Sequence, residues 1–261
     1  MMSVGVTTAR EIARHVLFKS GLYGVLTAFR RMRHGRKLGH IVDPSLKSRF
    51  TEIYKTGVWK EGEDAGAPDS GAGSTLAATD VLRHALPGLL QDLDARVLLD
   101  IGCGDFTWMQ HVSFPQKYIG IDVVDTVIDA NNKQFKTKIR EFAVCDATKD
   151  DLPEADTVLC RQVLFHLCFS DIKKLLENVL SKDRAYLIAD SDRSSLFNSD
   201  IPSGDFRLFN LEANPFRFPT PDFVIDDSKI RANRVIGVWD CKKIRRILKN
   251  KELLSAWPKK S

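Results

Sequence analysis

Three acids in this sequence close short apolar runs: Asp100 in VLLDIGCGDFTW, Asp122 in KYIGID and Asp146 in REFAVCD. Runs of this length and composition read as buried strands, so the acids fall at or near successive strand ends. Directly after the first come Gly102 and Gly104, which let the backbone approach a ligand without side chains in the way. A dinucleotide would bring its pyrophosphate to such a turn, but the third glycine of that fingerprint is Thr107 here. A carboxylate at Asp100 would also repel the diphosphate, whereas it would accept charged hydrogen bonds from an amine. Asp122, 20 residues beyond Gly102, stands where an acid reaches ribose hydroxyls in a doubly wound sheet. Asp146, in VCDAT, can accept from an adenine amine. Singly, each acid is more often a cap or turn residue; in order beside a Gly-x-Gly turn they match an amine, a ribose and a base.

S-adenosylmethionine carries those three groups, a sulfonium and no phosphate. Transfer of its methyl group is an in-line displacement helped mainly by positioning, with a general base where the acceptor is a hydroxyl. His166 in VLFHLCF is the first candidate base, with an unperturbed pKa of about 6.5. Asp190 and Asp192, at a later strand end, are the second. A histidine in an apolar segment also fits a packed core residue, and a reaction without an essential base stands beside both.

The elements that must hold these residues alternate. TLAATDVLRHALPGLLQDL has helical spacing, with Pro87 expected to kink or divide it. RVLLDI, KYIGID, REFAVCD, DTVLC and RAYLIAD read as five strands, and SDIKKLLENVL as an amphipathic helix with Ser170 or Asp171 at its cap. Such alternation predicts a parallel sheet covered on both faces, with ligands at the carboxyl ends of its strands.

The remaining composition is uneven. The chain has 261 residues, 43% hydrophobic, enough for one sizeable core with an appendage. Five scattered cysteines without a Cys-x-x-Cys pair suggest neither a disulfide framework nor structural zinc, and a reducing cytoplasm is expected. Residues 1–40 hold eight bases and one acid, so the rest of the +5 chain is net negative. The arm's apolar run, Val16 to Phe29, is too short and broken to span a bilayer and leads into Arg30 and Arg31, unlike a cleavable leader. It reads either as a helix on an anionic membrane surface, which would put the chain at the inner membrane, or as a solvated helix folded on the domain. KEGEDAGAPDSGAGS reads as a long loop, either a lid or a linker. The aromatics Phe206, Phe209, Phe216 and Phe218 fit either core or a platform for a glycan or planar acceptor, and KKIRRILKNKELLSAWPKKS reads as a basic terminal helix. The expected divisions are an arm at 1–44, a loop or lid region at 45–75, the main domain at 76–242 and the terminal helix at 243–261.

LLDIGCGDF, YIGIDVVDTVI, FAVCDAT and ADTVLCRQVLFHL resemble the successive motifs of class I S-adenosylmethionine-dependent methyltransferases. With FTEIYKTGVW, SGAGSTL, NLEANPFRFPTP and GVWD the chain is more closely similar to a bacterial group associated with cell-surface polysaccharide genes, over about residues 45–240. The resemblance implies an α/β, Rossmann-like three-layer sandwich, mostly parallel with an antiparallel last strand near RVIGVWD. It implies S-adenosylmethionine held by Asp100, Gly102 and Gly104 at its methionine part, by Asp122 at the ribose, and by Asp146 and Ala147 at the adenine. Arg161 and His166 would border cofactor and acceptor, and Ser70 to Thr75, including Ser74, would fold over the methionine end. The chain departs from the expected pattern at Gln162, where Cys-Arg-Asp was expected, and at DSDRSSLFN in place of a threonine-rich segment. The implied activity is O-methylation of a sugar, glycan or small molecule, without a metal. An RNA methyltransferase, held to phosphates by the basic arm, and a non-catalytic S-adenosylmethionine-binding module remain alternatives, with an NAD-dependent oxidoreductase the weakest.

Overall fold

The computed structural model describes residues 4–20, 22, 25, 45–60, 68–113 and 117–249. The basic cluster at 30–37, loop residues 61–67 and the terminal stretch from 250 onward lie outside the described residues.

Seven strands form one sheet in the order β3-β2-β1-β4-β5-β7-β6. They are β1 (Val97–Ile101), β2 (Lys117–Asp122), β3 (Arg140–Val144), β4 (Thr157–Cys160), β5 (Tyr186–Asp192), β6 (Phe223–Asp226) and β7 (Arg234–Asp240). The first five run parallel, while β7 is antiparallel to both β5 and β6. The antiparallel last strand of the chain, at RVIGVWD, is thus present as β7; β6 pairs along its outer side, leaving Phe223 and Val224 exposed at the edge.

Period-two alternation divides the core. On β1, Leu99 and Ile101 join Ile119, Ile121, Val158 and Cys160 on one face, and Leu98 joins Tyr118, Leu159 and Ile188 on the other. The first face is covered by α5 (Phe169–Ser181), whose Phe169, Ile172, Leu175, Leu176, Val179 and Leu180 are buried. The second is covered by α3 (Asp80–Asp92) through Leu82, Leu86, Leu89 and Leu90. Burial of each such side chain is worth about 1.5–3 kcal/mol. Helix α4 (Asp125–Phe135) packs beside β2 and β3. The short α6 (Cys241–Lys249) follows β7 and begins two residues before the expected boundary.

Three local expectations are corrected. Pro87 does not divide its segment: α3 runs through it, the helix forgoing only the hydrogen bond that Pro lacks an N–H to make. Residues 45–60 are not loop but α2 (Leu46–Thr56) and a short 3-10 turn, with Ser45 Oγ accepting from Ser48 N at 3.0 Å and Gly57 ending the helix at φ 65°. The start of α5 is not capped by Ser170 or Asp171. Its free amides at Cys168 and Phe169 donate to Ser203 Oγ and Asp200 Oδ1, both at 2.8 Å, from a segment over thirty residues away.

The N-terminal helix α1 (Val4–Lys19) lies on residues 196–206. Glu11 is buried and accepts from Ser199 Oγ, Arg14 Nη1 donates to Phe206 O at 2.9 Å, and His15 meets the Phe197 ring edge-on. The opposite side of α1 exposes Ile12 and Val16. Among the described residues no helix is long and apolar enough to cross a membrane.

Candidate active site

The sheet order reverses between β1 and β4, and a cleft opens at the carboxyl ends of the strands there. It holds about 940 Å³ of empty space, its open mouth to solvent included.

The turn after β1 forms its floor. Gly102 and Gly104 have φ of 71° and 57°, in the left-handed region that disfavours other residues. A Cβ at Gly102 would also lie 2.4 Å from Val163 Cγ2. Gly102 N and Cys103 N donate to Ile121 O at 2.8 and 3.0 Å, tying the turn to β2. Asp122, at the end of β2, accepts from Gly104 N at 3.2 Å and Val124 N at 3.1 Å. Burial pushes its pKa up to about 6 despite those bonds. Asp100 shares the Leu98 face of β1, accepts from Tyr118 Oη at 2.7 Å, and is pushed by burial up to about 7.

Beyond β3, Asp146 Oδ1 accepts from Thr148 N at 3.0 Å and Thr148 Oγ1 at 2.7 Å, which makes it a turn residue as well as a lining one. Ala147 lines the same end of the cleft. On the other side, Ser70 and Asp105 exchange two hydrogen bonds of 3.2 Å, fastening the 70–75 segment to the turn after β1. Ser74 lines the cleft, but Thr75 does not; its hydroxyl donates to Ala72 O and accepts from Ala78 N.

Arg161 follows β4. It is almost wholly buried, donates from Nη2 to Gly73 O at 3.0 Å, and lies 5.3 Å over the Trp108 ring. Burial lowers its pKa to about 10, so the guanidinium stays charged at neutral pH. Gln162 has φ 60°, a left-handed conformation that costs a residue with a Cβ roughly 1–2 kcal/mol. Its backbone N donates to Asp190 Oδ1 at 2.7 Å, and Asp190 Oδ2 in turn pairs with Arg234 Nη2 at 3.1 Å. Asp190 therefore supports the cleft from beneath and does not line it. Asp192 also lies outside the cleft: its carboxylate holds Ser194 and pairs with Arg231 Nε at 3.4 Å.

His166 does line the cleft. Its Nδ1 is 2.8 Å from Asp205 O, so Nδ1–H donates and Nε2 is left as the acceptor of the neutral ring. The ring packs against Trp59, Phe165 and Phe206, at centroid distances of 5.2, 4.5 and 6.0 Å. Burial lowers its pKa to about 4, and the ring is neutral at physiological pH.

Residues given no site role from the sequence complete the walls: Phe50 and Tyr54 on α2, Trp59, Trp108 and Gln162. FTEIYKTGVW and CRQ contain all of these but Trp108, yet nothing in their spacing tells which side chains turn inward. Phe209, Phe216 and Phe218 are core, whereas Phe206 is partly exposed and adjoins His166.

The groups fit S-adenosylmethionine: glycines with no room for a Cβ, the buried acids Asp100 and Asp122 in no salt bridge among the described residues, and the buried donor atoms Arg161 Nε and Gln162 Nε2 without a partner there. A sequence profile described as "Methyltransferase domain" matches residues 99–182, and no curated protein matches the chain. Among solved structures, magnesium protoporphyrin IX methyltransferase from Synechocystis PCC 6803 with bound SAM is 13% identical, covering 76% of this chain and 98% of its own, with a TM-score of 0.53. Human N-acetylserotonin methyltransferase is 15% identical, over 75% of this chain and 67% of its own, at TM-score 0.42. The methyltransferase domain of bacterial CtHen1-C is 14% identical over 44% of this chain, which spans 66% of it, at TM-score 0.39. The Synechocystis likeness shows the Rossmann-like fold, and the methyltransferase-domain profile spans β1 to the end of α5, the elements that build the cleft.

Proposed function

We propose that the chain methylates a hydroxyl oxygen of a sugar or other small molecule, with His166 as general base. The observation that carries this reading is the state of His166, a neutral imidazole in the cleft whose Nδ1–H is committed to Asp205 O. Such a ring can take a hydroxyl proton at Nε2 without first losing one of its own. Asp122 would hold the ribose hydroxyls, Asp146 and Ala147 the adenine, and Asp100 the donor's ammonium, with Gly102, Gly104, Ser74 and Arg161 around the methionine part. When bound, the cofactor supplies an electrophilic methyl group. The aromatic wall of Trp59 and Phe206 beside His166 suits the face of a sugar or planar ring.

The test is a tritiated-methyl transfer assay against panels of sugars, phenols, amines and RNA, with the wild type and His166→Ala. Transfer to hydroxyl compounds, lost in the variant, supports the reading; transfer confined to amines or RNA overturns it.

A peripheral role at an anionic membrane is favoured by one observation: Ile12 and Val16 are 46% and 59% exposed on the face of α1 turned away from the domain, and the sequence runs on into the basic cluster at 30–37. Sedimentation with phosphatidylglycerol vesicles tests it, and equal recovery with neutral vesicles would exclude it.

A further inference from the structure

The glycine end of the cleft sets opposite charges side by side. Asp100 is there, and the positive field of Arg161 favours its ionised form. Arg161 Nε–H is buried without a partner among the described residues, and so is Nε2 of the next residue, Gln162. Both residues line the cleft. Backbone strain that surrounding contacts hold in place points to function, and Gln162 is held at φ 60° by the Asp190 carboxylate. Its amide lies across Gly73: a Cβ there would be 2.0 Å from Gln162 Nε2, and the Gly73 carbonyl is already bound by Arg161. The segment over the cleft is thus shaped to leave these two donors in place.

Resting on the reading that S-adenosylmethionine occupies this cleft, we infer that Arg161 Nε and Gln162 Nε2 receive the α-carboxylate of the methyl donor, and that Gln162 selects donors that retain it. A carboxylate offers two oxygens and accepts only, which matches two neighbouring N–H donors. The ammonium one carbon away requires an acceptor close by, and Asp100 provides it. Arg161 alone would attract any anion; the neutral amide adds direction without a second charge.

Calorimetric titrations with S-adenosylmethionine and with its decarboxylated analogue test the inference on wild type, Gln162→Met and Gly73→Ala. Gly73 is not in the left-handed region, so alanine there displaces only the Gln162 amide. The wild type is expected to prefer the intact donor by about tenfold or more, the worth of a hydrogen bond to a charged group. Both variants should lose most of that preference through weaker binding of the intact donor, with the analogue's affinity unchanged. Equal affinities in the wild type, or an undiminished preference in both variants, would overturn the inference. Asp122→Ala separates this from the underlying reading: it should weaken both ligands alike, and if it weakens neither, the cofactor is not bound as proposed and the inference falls with it.

Discussion

The two sides of the cleft are built by different means. The side formed by β1, β2 and β3 is made from turns that follow their strands directly, and, apart from the Ser70–Asp105 pair, the contacts that set its lining acids join residues within one βα unit or on paired strands, such as Asp122 to Gly104 and Val124. The side carrying His166 draws on segments far apart in the chain. His166 is set by Asp205, Gln162 by Asp190, Asp190 by Arg234 on β7, and residues 196–206 by α1. The first side has the features of a site for an invariant ligand; the second can change with loop sequence while the sheet stays the same.

That contrast gives separable outcomes. His166→Ala should lower the methyl-transfer rate by about 10²–10⁴-fold while leaving donor affinity, measured by calorimetry, unchanged. In the wild type the acid limb of the rate should fall near pH 4, not near 6.5, because the base works in its neutral form and burial holds its pKa at about 4. Loss of donor binding in His166→Ala would erase the division between the two sides.

Asp122→Ala should act in reverse, weakening the donor by about a hundredfold, as expected for two hydrogen bonds to a charged group. Asp192→Asn, outside the cleft, should leave donor affinity within about twofold, since changes away from a contact surface are usually small.

Asp100→Asn sharpens the picture through stability. Its pKa is about 7 in the folded protein against a usual 3.8, so between those values the folded chain holds a proton that the unfolded chain has released. Stability without ligand therefore falls as pH rises from about 4 to about 7 and stays reduced above. The asparagine variant should flatten that dependence and melt at higher temperature at pH 8, by up to a few kcal/mol, while binding the donor less tightly. A wild-type melting curve flat over this range would refute the burial cost assigned to Asp100.

The most local effect is expected from Glu11→Ala, which leaves Ser199 buried without its acceptor at a cost of about 1–3 kcal/mol. Hydrogen exchange should rise in residues 196–206 and not in the turn after β1; equal change in both would show that the two sides are mechanically one.

The sequence alone determined strands β1 to β5 and β7, helices α3 and α5, the Gly-x-Gly turn, and the acids near the ends of β1, β2 and β3, but not α2 or β6. These are local: a short apolar run fixes a strand, alternation fixes which residues face the core, and a glycine pair fixes a turn. Tertiary structure decided the rest. Asp190 and Asp192 have the residue type and strand-end position of a base, yet their oxygens are taken by Gln162, Arg234 and Ser194. Gln162 reads in the sequence only as a departure from pattern, and becomes a cleft residue because Asp190 holds its backbone left-handed. The first turn of α5 looks self-capped, but takes Asp200 and Ser203 instead. The His166 tautomer is likewise set by a carbonyl 39 residues away. The segment from 193 to 222 has no period of 2 or 3.6 to read, and its buried polar groups find partners only once the sheet has brought distant chain together.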